Sequence, residues 1–216
     1  MDLFGEALKA YSLGNRDKFY FKESSGEISE HSLKRYFRKT AQISKSERKL
    51  IFMSYGDILD VGCGTGNYIP LLSKNGKVLG IDISSNVIDV AKKSCCKNCL
   101  VADIFTFRTK KKFDTITFLE SNLGMGGSVS RTKQLLKKLS SLLKNKGQIL
   151  AISRRVANEK SVTVGLKPMW KRKTGPKFSW IYFNIDFLSD LCRQEGLNLK
   201  VLQGNNHNYL IRIAKN

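Results

Sequence analysis

The stretch ILDVGCGTGN, Ile58 to Asn67, decides how the rest of this 216-residue chain is read. An apolar run ends at Asp60 and Val61 and passes into glycines at 62, 64 and 66, the pattern of a buried strand turning tightly into a helix. Glycine here lets the backbone approach a ligand closely, and the helix that follows offers N–H groups with no partner in its own first turn. A second strand signal, KVLGID, delivers Asp82 to its carboxyl end, where a carboxylate suits bonding to two ribose hydroxyls. CLVAD then ends at Asp103, and KKFDTITFLE ends at Glu120. A ligand-free glycine turn gives no reason for Asp60, Asp82 and Asp103 to stand at successive strand ends.

Working outward, helical patterns separate these strands. NYIPLLSKNG is short, SSNVIDVAKKS opens on serine caps, and SRTKQLLKKLSSLLK carries Leu135, Leu136, Leu139, Leu142 and Leu143 on one stripe with lysines opposite. GQILAIS resumes strand character, NIDFLSDLCRQEG reads as a helix with Gly196 as its stop, and NLKVLQG with NYLIRIA reads as a late hairpin. Strands alternating with helices predict a mostly parallel sheet covered on both faces, with ligands bound beyond the strands' carboxyl ends. The first 55 residues read mostly as helices, with Leu3, Phe4, Ala7, Leu8 and Tyr11 at helical spacing and Leu33, Tyr36, Phe37 and Thr40 on a second face.

A dinucleotide fits this layout, but its fingerprint is GxGxxG, whereas the glycines here give GxGxG and Tyr68 fills the later position. A nucleoside triphosphate is disfavoured, because no P-loop lysine with Ser/Thr follows. GMGG, Gly124 to Gly127, lacks the same residues and is no phosphate cradle.

Composition sets wider bounds. Hydrophobic residues make up 41% and aromatics 10%, as in a folded globule, and three prolines with no Gly/Ser linker leave no seam for a second domain. One domain over residues 1–216 is therefore expected, with 1–55 as an N-terminal helical cap. No apolar run is long enough to span a bilayer, and the start lacks a secretory pattern. The odd count of five cysteines favours a reducing, cytoplasmic setting and buried structural thiols; Cys96 and Cys99 form one CxxC with no second pair at zinc-site spacing, so no metal is expected. The formal charge of +20 should attract polyanions, which keeps RNA in view as a partner.

ILDVGCGTGN followed by VLGIDIS, VAD and FDTITFLES resembles the class I S-adenosylmethionine-dependent methyltransferase family, over roughly residues 56–152. The resemblance implies an α/β fold: a Rossmann-like three-layer α/β/α arrangement on a mostly parallel seven-stranded sheet with an antiparallel last strand. It implies S-adenosylmethionine as cofactor. The loop of Asp60, Gly62, Cys63, Gly64, Gly66 and Asn67 would hold its methionine part. Asp82, with Ile83, would take the ribose, Asp103 and Ile104 the adenine, and Glu120 would border the same space. A sulfonium methyl is already activated, so transfer chiefly requires an acceptor held in line, with a base where an alcohol or ammonium must lose a proton.

In that family the end of the fourth strand faces the reacting methyl, and here it reads FLESNLG. Glu120 and Asn122 are therefore the candidate catalytic residues, each with a structural alternative as a turn or cap group. No proline pair follows Asn122, so amino chemistry on adenine or cytosine is unsupported, and no proline–cysteine pair supports a covalent cytosine adduct. The acceptor wall is expected from the cap, at Tyr11 and Tyr20, and from the segment after the fifth strand, at Arg154, Trp170, Trp180 and Tyr182. A small molecule is the preferred acceptor. RNA, or a cofactor- or nucleic-acid-binding role without transfer, is the alternative.

Overall fold

The strands announced by the glycine motif pair into a single sheet. The structure, a computed structural model describing residues 2–94 and 96–215, puts β3 (Gly56–Val61) between β4 (Gly76–Asp82) and β6 (Phe113–Phe118), all parallel. Short β5 (Cys99–Val101) extends one side in parallel, and β7 (Leu143–Arg154) the other. Beyond β7 the order is β12 (Asn208–Lys215), then β11 (Leu197–Gly204), giving β11-β12-β7-β6-β3-β4-β5. The last strand, β12, is antiparallel to both neighbours, as the family resemblance implied.

Helices cover both faces because the strand interiors are apolar on both sides. On one face α5 (Val129–Leu142) buries its stripe of Leu135, Leu136, Leu139 and Leu142 beside α6 (Ile185–Gln194). Ser128 caps α5 by accepting from Arg131 N at 3.2 Å, and Gly196 just past α6 has φ +67, the left-handed stop its position predicted. On the other face α2 (Lys45–Phe52), α3 (Ile69–Leu72) and α4 (Ser85–Ser94) pack through Leu50, Ile69, Leu72 and Ile88. Among the described residues, no helix is long and apolar enough to cross a membrane.

The N-terminal part departs from its helical reading. α1 (Leu3–Ser12) forms as expected and packs on α4, but Phe19–Glu23 and Ile28–Glu30 are strands β1 and β2. They belong to a second, antiparallel sheet of order β10-β8-β1-β2, built with β8 (Ser161–Trp170) and β10 (Phe178–Phe183), while β9 (Lys173–Thr174) pairs with β8. The reason is visible in FYFKE, where Phe19 is buried and Phe21 half-buried at period two. The second helical face also breaks: residues Leu33–Phe37 and Thr40–Gln42 are 3₁₀ turns, and Arg38 and Lys39 between them are extended.

The cysteines depart as well. Cys96 and Cys99, expected as thiols, are joined in a disulfide with Cα atoms 5.9 Å apart, whereas Cys63 and Cys192 are free and buried. Cys95 lies outside the described residues. A Cβ built on Gly80 of β4 would lie 2.9 Å from both Cys63 Sγ and Cys99 Sγ, two atoms held in the core. Gly80→Ala should therefore destabilise the fold by about 1–3 kcal/mol. In urea the midpoint should fall with an unchanged slope.

Candidate cofactor and acceptor site

The turn after β3 holds Gly62, Gly64 and Gly66 at φ +69, +57 and +81, where a side chain would be strained. At Gly62 there is also no room: a Cβ would lie 2.7 Å from Asn122 Nδ2. That amide donates to Gly62 O at 3.1 Å, so Asn122 ties the loop after β6 to the glycine loop. Asp82 Oδ2 accepts from Gly64 N at 3.1 Å and Oδ1 from Ser84 N at 3.0 Å. Burial pushes the Asp82 carboxyl up and these two N–H bonds pull it down, with burial prevailing.

Asp60 is the most exacting member. Its Oδ1 accepts from Thr117 Oγ1 at 2.6 Å, while Oδ2 is buried and has no hydrogen-bond partner among the described residues. Burial, then the charge of Asp82, raises its pKa to about 6. An orphaned carboxylate oxygen in the core costs free energy until a donor reaches it, so the base of the glycine loop suits an N–H or ammonium group. Next to Asp82, Ile83 is 73% exposed, an apolar side chain that burial would favour covering. Asp103 is half-buried, with Oδ1 accepting from Phe105 N at 2.9 Å, and Ile104 is buried beside it. Cys63 lies under the loop, its thiol pushed up by burial.

Over the loop runs the segment of Arg35 to Arg38. Thr65 Oγ1 donates to Tyr36 O, and Asn67 Nδ2 donates to Arg35 O at 3.4 Å. Glu120 reaches it from the sheet: one carboxylate oxygen pairs with Arg35 and the other with Arg38, at 2.6 Å for the latter. Arg38 also pairs with Glu47 Oε1 at 2.7 Å, and the single Tyr68 O–H lies within hydrogen-bond reach of both Glu47 and Glu120, 2.7 Å from Glu120, to donate to one or the other. Burial opposes ionisation of Glu47, but hydrogen bonds from Arg38, Ser44 and Tyr68 outweigh it and hold the carboxyl at about 2. Glu120 and Ser121 have φ 56 and 61, left-handed values rare outside glycine, so the backbone is strained where the carboxylate is aimed.

The residues expected at the acceptor wall divide. Trp180 stands against the loop after β6, so close that a side chain on Gly124 would collide with its indole Nε1. Tyr182 lies under the Arg154 guanidinium at 5.1 Å. Tyr11 stacks on Phe37 with centroids 5.1 Å apart, and Trp170 is buried in the cap's own core with Leu3, Leu8 and Phe19. Tyr20 is half-buried in β1, in register with Glu30 and Met169. The sequence reading missed Arg35 and Arg38. The only available signal was the pair of arginines three apart flanking Tyr36 and Phe37.

With this geometry in hand, comparison with known proteins is decisive for the family. The profile described as Methyltransferase domain matches residues 58–147. A Bacteroides fragilis SAM-dependent methyltransferase, solved in complex with S-adenosyl-L-homocysteine, superposes with TM-score 0.89 at 25% identity, covering 99% of this chain and 94% of that one. The ubiquinone biosynthesis O-methyltransferase of Pelagibacter ubique is 32% identical over 71% of this chain. A probable cobalt-precorrin-6B C(15)-methyltransferase of Thermoplasma acidophilum is 19% identical over 53%. The chain spans 66% and 63% of the length of these two curated relatives. It belongs to the class I S-adenosylmethionine-dependent methyltransferase family.

Because Glu47 ionises more readily folded than its ordinary value of 4.5, its contribution to stability is present above that pH and is lost as pH falls toward about 2. Glu47→Gln should cost about 2 kcal/mol near pH 7. The difference from the parent should narrow as pH falls below 4.5 and be lost only on passing below about 2, in denaturant titrations repeated across pH.

Proposed function

We propose that this chain transfers a methyl group from S-adenosylmethionine to an oxygen or nitrogen of a small molecule. The observation that carries the reading is the orphaned Asp60 Oδ2 beneath a glycine loop whose neighbour strand ends in Asp82. Asp60 would meet the cofactor's ammonium directly or through water, and Asp82 its ribose hydroxyls. Ile83 and Ile104 would flank the adenine, with Asp103 at its edge. The cofactor's carboxylate would find backbone N–H groups of the glycine loop, since Arg35 and Arg38 are already paired with Glu120 and Glu47. When bound, the sulfonium supplies a methyl group that needs no further activation.

The protein's own part is then placement. Asn122 fixes the loop after β6 against the glycine loop, and Glu120 holds the overlying segment through its arginines, which supports a positioning role for both. The second sheet brings Trp180 against the same strand ends, which favours an enclosed, small acceptor. RNA remains the second reading, favoured by the formal charge of +20.

Calorimetry with S-adenosylhomocysteine should give saturable binding. Asp82→Ala should weaken it by about 1–3 kcal/mol, roughly fivefold to 150-fold. Labelled cofactor incubated with cell extract should mark the small-molecule fraction; label confined to RNA would reverse the acceptor assignment. No binding by a fully folded protein would remove the cofactor assignment itself.

A further inference from the structure

Strands β3, β4, β6 and β7 run parallel, so Gly56, Gly76, Phe113 and Leu143 begin them at one pole, opposite the strand ends that carry Asp60, Asp82 and Glu120. The segments that enter β4, β6 and β7 at this pole are KNGK (74–77), KKK (110–112) and KNK (144–146). Side-chain contacts join them into one surface. Lys144 Nζ reaches Asp57 at 3.0 Å and Asp114 at 2.7 Å, and Lys111 Nζ reaches Asp57 at 2.9 Å. Lys112 donates to Ser141 O, and Lys215 donates to Leu143 O at 3.2 Å. Asp57 and Asp114 are thus taken up by Lys111 and Lys144. Lys77, Lys110 and Lys146 are exposed and pair with no carboxylate among the described residues.

Two exposed rings stand among these lysines. On one side Asn75 Nδ2 donates to Ile51 O at 2.7 Å. On the other, Gln148 Nε2 donates to Met53 O at 2.6 Å and Tyr55 OH donates to Lys146 O at 2.8 Å. The end of α2 therefore lies between the lysines of 74–77 and those of 144–146. It presents Phe52, 68% exposed, and Tyr55, 42% exposed. Phe52 and Met53 also line a surface groove with Lys45, Arg48 and Lys49, whose aliphatic stems extend the apolar area while their heads stay in water. A bare phenylalanine ringed by unpaired amines is best covered by a partner that is anionic at its surface and apolar just beneath it.

We propose that this pole docks on an anionic bilayer, with Phe52 entering the boundary between headgroups and acyl chains and the lysines on either side meeting lipid phosphates. Electrostatic attraction and insertion of an apolar group each hold a bilayer weakly alone and reinforce one another when they occur together. Lysine supplies all the cations of the three segments. An ammonium is a compact point charge suited to a diffuse layer of headgroups, whereas the guanidinium fork is the group of choice for nucleic-acid backbones. Docked in this way, the glycine loop, at the opposite strand ends, faces away from the bilayer. The docking goes beyond methyl transfer and does not depend on it.

Co-sedimentation of the full chain with vesicles tests this. Vesicles of mixed phosphatidylglycerol and phosphatidylcholine should bind it saturably, and vesicles of phosphatidylcholine alone should not. Salt at about 1 M, where the screening length is about 3 Å, should release it. Lys77→Gln, Lys110→Gln and Lys146→Gln combined should lower the partition coefficient about a hundredfold, at about fivefold for each lysine. Lys22→Gln, Lys167→Gln and Lys177→Gln combined remove the same charge from exposed lysines on and beside the second sheet, and should lower it by less than about threefold. Phe52→Ser, at an exposed position, should cost about tenfold. All three variants should keep the urea midpoint of the parent. Equal losses from the two lysine sets would show attraction by net charge alone and overturn the docking face. Unchanged binding by the Phe52→Ser protein would overturn the insertion. Binding of the parent to polyuridylate but not to anionic vesicles would give the pole to nucleic acid and overturn the bilayer.

Discussion

A carboxylate drawn out of water must be paired, and Glu120 meets that requirement with two arginines from a different part of the chain. The pairing joins the end of β6 to the 3₁₀ turn at Leu33–Phe37, and through Arg38 and Tyr68 it reaches α2 and the start of α3. Apart from this network, the polar contacts holding residues 35–36 over the glycine loop among the described residues are those from Thr65 and Asn67. Tyr36 and the segment lying over the glycine loop are therefore tied to the sheet largely through one acid. The left-handed backbone at Glu120 and Ser121 is consistent with this, since strain persists only where surrounding contacts over-determine it.

The parallel sheet was legible because its signals are local. Each strand is a short apolar run closed by an acid or glycine, and each helix between them carries its own caps and stripe. Asp60, Asp82 and Asp103 could be located for the same reason: a strand end is a sequence position. The second sheet was not legible, since β1 gains its main partner from β8, more than a hundred residues away, and FYFKE alone does not disclose that pairing. A helical reading of residues 33–42 failed because tertiary ion pairing holds Arg38 extended, overriding the apolar spacing of Leu33, Tyr36 and Phe37. Arg35 and Arg38 could not be singled out among 38 lysines and arginines, because their partners Glu47 and Glu120 are fixed only by the fold. The disulfide between Cys96 and Cys99 escaped because an odd cysteine count was weighed against pairing of any kind.

The charge of the chain and the charge of its site differ in kind. Near the glycine loop, Arg35 and Arg38 face Glu47 and Glu120, four groups whose formal charges cancel. Many of the remaining lysines are exposed, where solvent and salt screen them beyond about 10 Å. A balanced cluster inside a strongly basic surface can draw in anionic species at long range without holding them at the point of transfer.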